Sequence, residues 1–213
     1  MLPSSVIELM FQNHRIHIAA PQEDALKTWY TAHADEHPFP YWAKVWPAAK
    51  ALSEFILTHQ QLIAGKKVME IAAGLGLPSL TAAAFAKEVI ITEADSAALP
   101  FINTSITLNA LQNVQTKIFN WNEQEPVDDS EILLMSDVNY NPTHFPQLLL
   151  FVETQWSRGI TILLSTPQRI MAKPFIEVLT PYITQQEEIM IKENGEEVLC
   201  SVFVLSKSSS LQS

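Results

Sequence analysis

Residues 67–80 read KVMEIAAGLGLPSL. A short apolar run ends in an acid, Glu70. Gly74 and Gly76 follow, and Pro78 opens an alanine-rich segment of helical character. Two of the chain's 5 glycines fall in this one turn. Glycine has no Cβ, so a strand–turn–helix of this composition lets backbone come close to a ligand. The acid at the strand end is placed to accept the hydroxyls of a ribose. The stretch predicts a nucleoside-cofactor site in an α/β domain. A tight turn without a ligand is the plainer alternative.

Working outward, the pattern alternates. Apolar runs at 68–71, 89–93, 116–119, 132–136 and 161–164 read as strands, and 78–86, 98–111 and 143–157 as helices between them. In the last helix Phe145, Leu148, Leu149, Val152 and Trp156 share one face. Such alternation predicts a parallel sheet covered on both sides, with ligands at the carboxyl ends of its strands. Upstream, 6–11 and 15–19 read as a β-hairpin about Gln12-Asn13-His14, 24–32 as a short helix and 33–40 as a loop. A helix at 47–59 begins on Pro47 and carries the stripe Leu52, Phe55 and Ile56. Downstream, 183–191 and 198–206 flank Glu193-Asn194-Gly195-Glu196, and Asn-Gly is a hairpin turn signal. The expected organisation is an N-terminal extension over 1–36, one domain over 37–207 and a frayed tail over 208–213.

The chain has 213 residues, enough for one α/β domain, and 47% of them are hydrophobic. No apolar run approaches the ~18 residues of a membrane span. The first residues, MLPSSVIELMF, have no basic segment and no small-residue cleavage site. The single cysteine, Cys200, lies in an apolar run and reads as a small core residue. These features predict a cytoplasmic protein. A net charge of −10 argues against nucleic-acid binding, because it repels phosphate backbones, and it suits a cationic substrate. His14 and His17 lie on the expected hairpin with no thiol or carboxylate motif beside them, so no metal is expected.

The glycine turn admits two cofactors. Gly74-Leu75-Gly76-Leu77-Pro78-Ser79 approximates the G-x-G-x-x-G loop of nicotinamide dinucleotide sites, with Ser79 in place of the third glycine and Glu93 as the ribose acid. S-adenosylmethionine fits E-x-x-x-G-x-G, opened by Glu70, with Glu93 again gripping the ribose. Beyond the turn, Asp137-Val138-Asn139-Tyr140 leaves the fourth strand where a substrate would meet a cofactor. An Asx-turn with a packing tyrosine explains the same residues without chemistry. Asn120-Trp121 closes the third strand, where an indole can stack on a purine or simply fill the core.

Taken together, PYWAKVWPAAKALSEFIL at 40–57, GKKVMEIAAGLGLPSLTAA at 65–83, IITEADSAALPFINTSITLNALQN at 90–113, SDVNY at 136–140 and STPQR at 165–169 resemble the seven-strand methyltransferases that include protein-lysine methyltransferases with a D-x-x-Y motif. The resemblance implies a Rossmann-like seven-strand sheet closed by an antiparallel C-terminal hairpin. It also implies S-adenosylmethionine as cofactor and a lysine of a protein as acceptor. By the same resemblance Ala72, Gly74 and Gly76 line the cofactor, Glu93 takes the ribose hydroxyls, Ala94 borders the adenine and Trp121 packs on it. Trp46 shields the sulfonium, or is a plain anchor at the start of its helix. Ser136 makes a backbone contact. Ala72 departs from the family's usual glycine, and Glu93 from the commoner aspartate.

An amine acceptor must be neutral to attack, although a free lysine has a pKa of ~10.4. A dry pocket beside a cation lowers that value, and a carboxylate raises it. Asp137 is therefore expected to dock and aim the amine, and Tyr140 to fix its orientation or wall the channel. Methylation of a small molecule on the same fold, nicotinamide-dependent redox chemistry and a binding module without turnover stay open at this point.

Overall fold

The computed structural model describes residues 2–35, 39–123, 129–193 and 195–206. The chain opens with an antiparallel hairpin, β1 (Ser4–Phe11) and β2 (His14–Pro21), in register from Ser4↔Pro21 to Phe11↔His14. The turn is thus only Gln12-Asn13, with Gln12 at φ 52, and His14 already belongs to the strand. Helix α1 (Glu23–His33) follows, then α2 (Pro47–Thr58).

The main sheet contains β3 (Lys67–Ile71), β4 (Glu88–Glu93), β5 (Val114–Ile118), β6 (Ile132–Ser136), β7 (Thr161–Pro167), β8 (Ile183–Glu193) and β9 (Glu196–Leu205). Its order is β5-β4-β3-β6-β7-β9-β8. The first five strands of this series are parallel, whereas β9 runs antiparallel to both β7 and β8. The α/β class, the seven strands, the C-terminal hairpin and the N-terminal hairpin are as the sequence predicts. Asn194, the expected turn residue, lies outside the described residues; Gly195 beside it has φ 83.

Helices α3 (Leu77–Ala82), α4 (Leu99–Leu108), α5 (Phe145–Ser157) and α6 (Lys173–Leu179) cover the sheet. Alternation along the strands divides the interior in two. One core holds Val68, Leu52, Phe55, Ile56, Leu77 and Ile102, together with Phe11, Ile16 and Ile18 of the hairpin. The other holds Met69, Ile71, Phe145, Phe151, Trp156 and Phe175. The extension at the N-terminus therefore shares the main core. Helix α2 is buried nearly all round because Ala48, Ala49 and Ala51 let its backbone come close to its neighbours. In α5 the buried face includes Phe151 as well as the expected residues, and Leu149 is only half-buried.

Topology places the site. From β3 the chain winds outward through β4 to β5, then returns to lay β6 on the other side of β3. The carboxyl ends of β3 and β6 therefore flank a crevice from which the connections diverge, where open α/β sheets bind ligands.

Candidate active site

The loop after β3 turns through three left-handed residues: Ala72 at φ 48, Gly74 at φ 57 and Gly76 at φ 75. At Gly74 a Cβ would lie 3.2 Å from the Trp42 carbonyl oxygen, and at Gly76 3.2 Å from the Ile91 side chain. Conformation favours glycine at both positions, and the space for a side chain there is tight. Ala72 holds the same conformation with a methyl group, at a cost of roughly 1–2 kcal/mol. Glu93, the last residue of β4, ties the loop down: Gly74 N–H donates to its Oε2 (2.9 Å), and Ala94 N–H (2.8 Å) and Asp95 N–H (3.3 Å) donate to its Oε1. Its carboxylate keeps lone pairs for further donors such as ribose hydroxyls.

Asp137, one residue past β6, has φ 55, a conformation aspartate tolerates better than most residues. Its N–H donates to Ser165 O (2.9 Å). Its carboxylate is gripped at both oxygens by Arg169, through Nη1 to Oδ1 and through Nη2 to Oδ2 at 3.0 Å. Burial holds the Asp137 carboxyl above the usual carboxylate range, and the Arg169 guanidinium offsets only part of that rise. Tyr140 stands at the rim, its ring 5.6 Å from that of Tyr41. Burial, then the neighbouring Tyr41, Glu93 and Asp137, raise its phenol above the usual value, so it is a hydrogen-bond donor at neutral pH.

Ala72, Gly74, Gly76, Glu93, Asp137, Tyr140 and Arg169 line one cavity of about 990 Å³. That is the upper end of the ~300–1,000 Å³ range of ligand sites, so there is room for a cofactor and part of a second molecule. Leu26 and Trp29 of α1, with Phe39, Tyr41, Trp42, Lys44 and Trp46 ahead of α2, form much of its wall. Trp42 donates from Nε1 to Asp95 Oδ2 (2.8 Å), and Trp46 from Nε1 to Tyr41 O (2.8 Å).

A family profile described as "Lysine methyltransferase" matches residues 39–181, well over half of the chain. The chain belongs to the lysine methyltransferase family. The cofactor of this family is S-adenosylmethionine, which sets the nicotinamide alternative aside. Among curated relatives, "Histone-arginine methyltransferase METTL23" of Xenopus laevis is 33% identical over 120 residues, covering 53% of this chain and 50% of the relative. "Electron transfer flavoprotein beta subunit lysine methyltransferase" of Mus musculus is 27% identical over 180 residues, covering 76% and 68%. The chain thus spans about half the length of the first relative. The fold matches N-methyltransferase NodS from Bradyrhizobium japonicum WM9, solved in complex with S-adenosyl-l-homocysteine, at TM-score 0.60, 12% identity and 84% and 98% coverage.

Within this lysine methyltransferase fold, Trp46, Ala72, Gly74, Gly76, Glu93, Ala94, Ser136, Asp137 and Tyr140 all line the cavity. Two residues expected at the cofactor do not. Glu70 is wholly buried beneath the glycine loop, where Ser79 N–H donates to its Oε2 (3.0 Å). Side chains alternate along β3, and position 70 points into the core shared with α3, away from any ribose. Burial pushes its carboxyl up to about 8. Trp121 belongs to the core on the other side of the sheet, edge-on to His144 with ring centres 6.1 Å apart. It does not face the cavity. Over the Trp46 ring, at 5.1 Å, lies the Lys44 ammonium. Tyr41, Trp42, Asp95 and Arg169 also line the cavity, and no feature of the sequence marks them as site residues. Trp42 and Asp95 sit inside stretches that carried the family resemblance, and their mutual hydrogen bond joins positions 53 apart. Arg169 sits in the STPQR loop, with no local feature to announce an ion pair.

Proposed function

We propose that this chain transfers a methyl group from S-adenosylmethionine to a lysine side chain of a protein. The observation that carries the reading is the juxtaposition, in one cavity, of the Glu93-braced glycine loop with the Asp137–Tyr140 pair. The loop fits the cofactor: Gly74 and Gly76 line the cavity with backbone, and Glu93 presents a carboxylate with lone pairs left over. Ala72, Gly74, Gly76, Glu93 and Ala94 would hold it. When bound, S-adenosylmethionine supplies an activated methyl group on a positively charged sulfur.

The chain's own residues then have to position and desolvate the acceptor, which is the main work of such a transfer. Asp137 accepts a hydrogen bond from the acceptor nitrogen and aims it. Tyr140 and Tyr41, half in solvent, bracket the aliphatic stem of a long side chain and exclude water. Aromatic walls suit a methylene chain ending in a cation. The net charge of −10 favours a basic protein surface as partner.

A second reading, with an arginine as acceptor, is favoured by one observation. Asp137 already grips a guanidinium at both oxygens, that of Arg169, and the Xenopus relative is by name an arginine methyltransferase. Radiolabelled S-adenosylmethionine incubated with the enzyme and a size-fractionated lysate separates the readings. Label in the protein fraction that is recovered as methyl-lysine after acid hydrolysis supports the first. Methyl-arginine supports the second, and label confined to small molecules defeats both.

A further inference from the structure

Among the described residues the cavity is lined by three carboxylates, and they are satisfied in different ways. Glu93 accepts three backbone N–H groups. Asp95 accepts the Trp42 indole and the Ala97 N–H. Among the described residues a full cation meets Asp137 and not the other two; it is Arg169, which reaches it from the turn after β7. The Asp137 side chain is 10% exposed and that of Arg169 34%, so the pair closes over the carboxylate and leaves the guanidinium partly in solvent.

We propose that Arg169 is a positioning residue of the transfer: it neutralises Asp137, so that the cavity takes the acceptor amine in its uncharged, nucleophilic form. This rests on the amine-acceptor reading above. A bare carboxylate beside an amine raises the amine's pKa by about 1–3 units, the wrong direction for a nucleophile. Paired with a guanidinium, the same carboxylate exerts little net field. It still has hydrogen-bonding capacity, because each oxygen offers two lone-pair sites and Arg169 occupies one on each. A neutral amine can donate an N–H to Asp137 and keep its own lone pair free.

The other groups around the pair fit this balance. From the end of β4 come Glu93 and Asp95, both held by neutral donors. Ahead of α2 stand Tyr41 and Lys44, the latter drawn over Trp46. Tyr140 follows Asp137 in the chain. Behind the pair, on β9, the wholly buried Cys200 thiol is pushed up to about 12 by burial and then by Asp137, so it stays neutral.

The test needs no turnover. The protein complexed with S-adenosylhomocysteine is titrated by calorimetry with 2-methoxyethylamine, a slim primary amine, at pH values between about 7 and 10 that span its ionisation. Wild-type protein is expected to bind at least ~10-fold better as the amine loses its proton. Arg169→Met should reverse the trend and prefer the ammonium form, while Arg169→Lys, which keeps the charge, should follow wild type. The inference is overturned if wild type binds no better above the amine's pKa than below it, or if Arg169→Met follows the wild-type trend. Should Arg169→Met not fold, Arg169→Gln, which also removes the charge and keeps polar contact with Asp137, is read in its place with the same two outcomes. Asp137→Ala separates the two layers: if it binds the amine as wild type does, the amine-docking reading itself fails.

Discussion

At the residue scale, the two acids at strand ends divide labour. Both Glu70 and Glu93 look like ribose ligands in the sequence, because strand, acid and glycine turn are visible there and the direction of a side chain is not. Glu93 ends its strand and reaches the cavity; Glu70 points into the core and holds α3 by the Ser79 N–H. Its other oxygen, Oε1, has no hydrogen-bond partner. With its carboxyl raised from 4.5 to about 8, the folded protein binds this proton more tightly than the unfolded chain does. Its contribution to stability is present below pH 4.5 and is lost as pH rises through about 8. Glu70→Gln keeps the acceptor for Ser79 and removes the titration. Its melting temperature should therefore exceed that of wild type above pH 8 and draw level near pH 4.5, in thermal scans across that range. Identical pH profiles would show that Glu70 does not titrate in this window.

Gly74 gives a second prediction at this scale. A methyl group there meets the Trp42 carbonyl at 3.2 Å and must adopt φ 57. Gly74→Ala should lose about 1–2 kcal/mol of stability. It should also weaken S-adenosylhomocysteine binding about tenfold or more, because the loop also carries the N–H that braces Glu93. Denaturant unfolding and calorimetry measure the two effects separately.

At the element scale, the N-terminal hairpin is held to α4 by side chains. Asn109 accepts from His17 N–H (2.9 Å) and donates to His17 O (2.6 Å), and Ser105 Oγ accepts from Ala19 N–H (2.9 Å). Asn109→Ala removes two of these bonds and leaves a part-buried N–H and C=O unmet, for about 1–3 kcal/mol. Faster amide hydrogen exchange across β2, with β3 and β6 unchanged, is the expected signature. Uniform acceleration would mean that hairpin and sheet open together.

Most elements were legible because hydrophobic spacing reports burial. Leu52, Phe55 and Ile56 mark α2 in the sequence and are its buried stripe in the structure. The errors have local causes. Expected at 116–119, β5 is found at Val114–Ile118, because it is an edge strand with exposed residues and little pattern. Helix α3 stops at Ala82, where tighter turns carry the chain towards β4. Helix α6 was not foreseen: only Phe175 and Leu179 are buried along its 7 residues, too few to show a period.

At the scale of the whole molecule, the strand order brings residues far apart in the chain to one rim. Gly74, Glu93, Asp137 and Arg169 leave four different strands at the same end of the sheet. The sequence shows each motif, and the alternation of strands and helices shows that they meet. Apart from Trp46, it does not show the wall supplied by α1 and the aromatic residues before α2, because that contact depends on how the extension folds back. Nor does it reveal the Asp137–Arg169 pair, 32 residues apart in the chain.

Cofactor binding and methyl transfer rest on different residues of the cavity, and Asp137→Ala pulls the two apart. S-adenosylhomocysteine affinity, by calorimetry, and radiolabelled methyl transfer into lysate protein are measured on the same preparations of variant and wild type. The expected result is affinity within about threefold of wild type and transfer lowered by about 10²-fold or more. Transfer at the wild-type rate would contradict it.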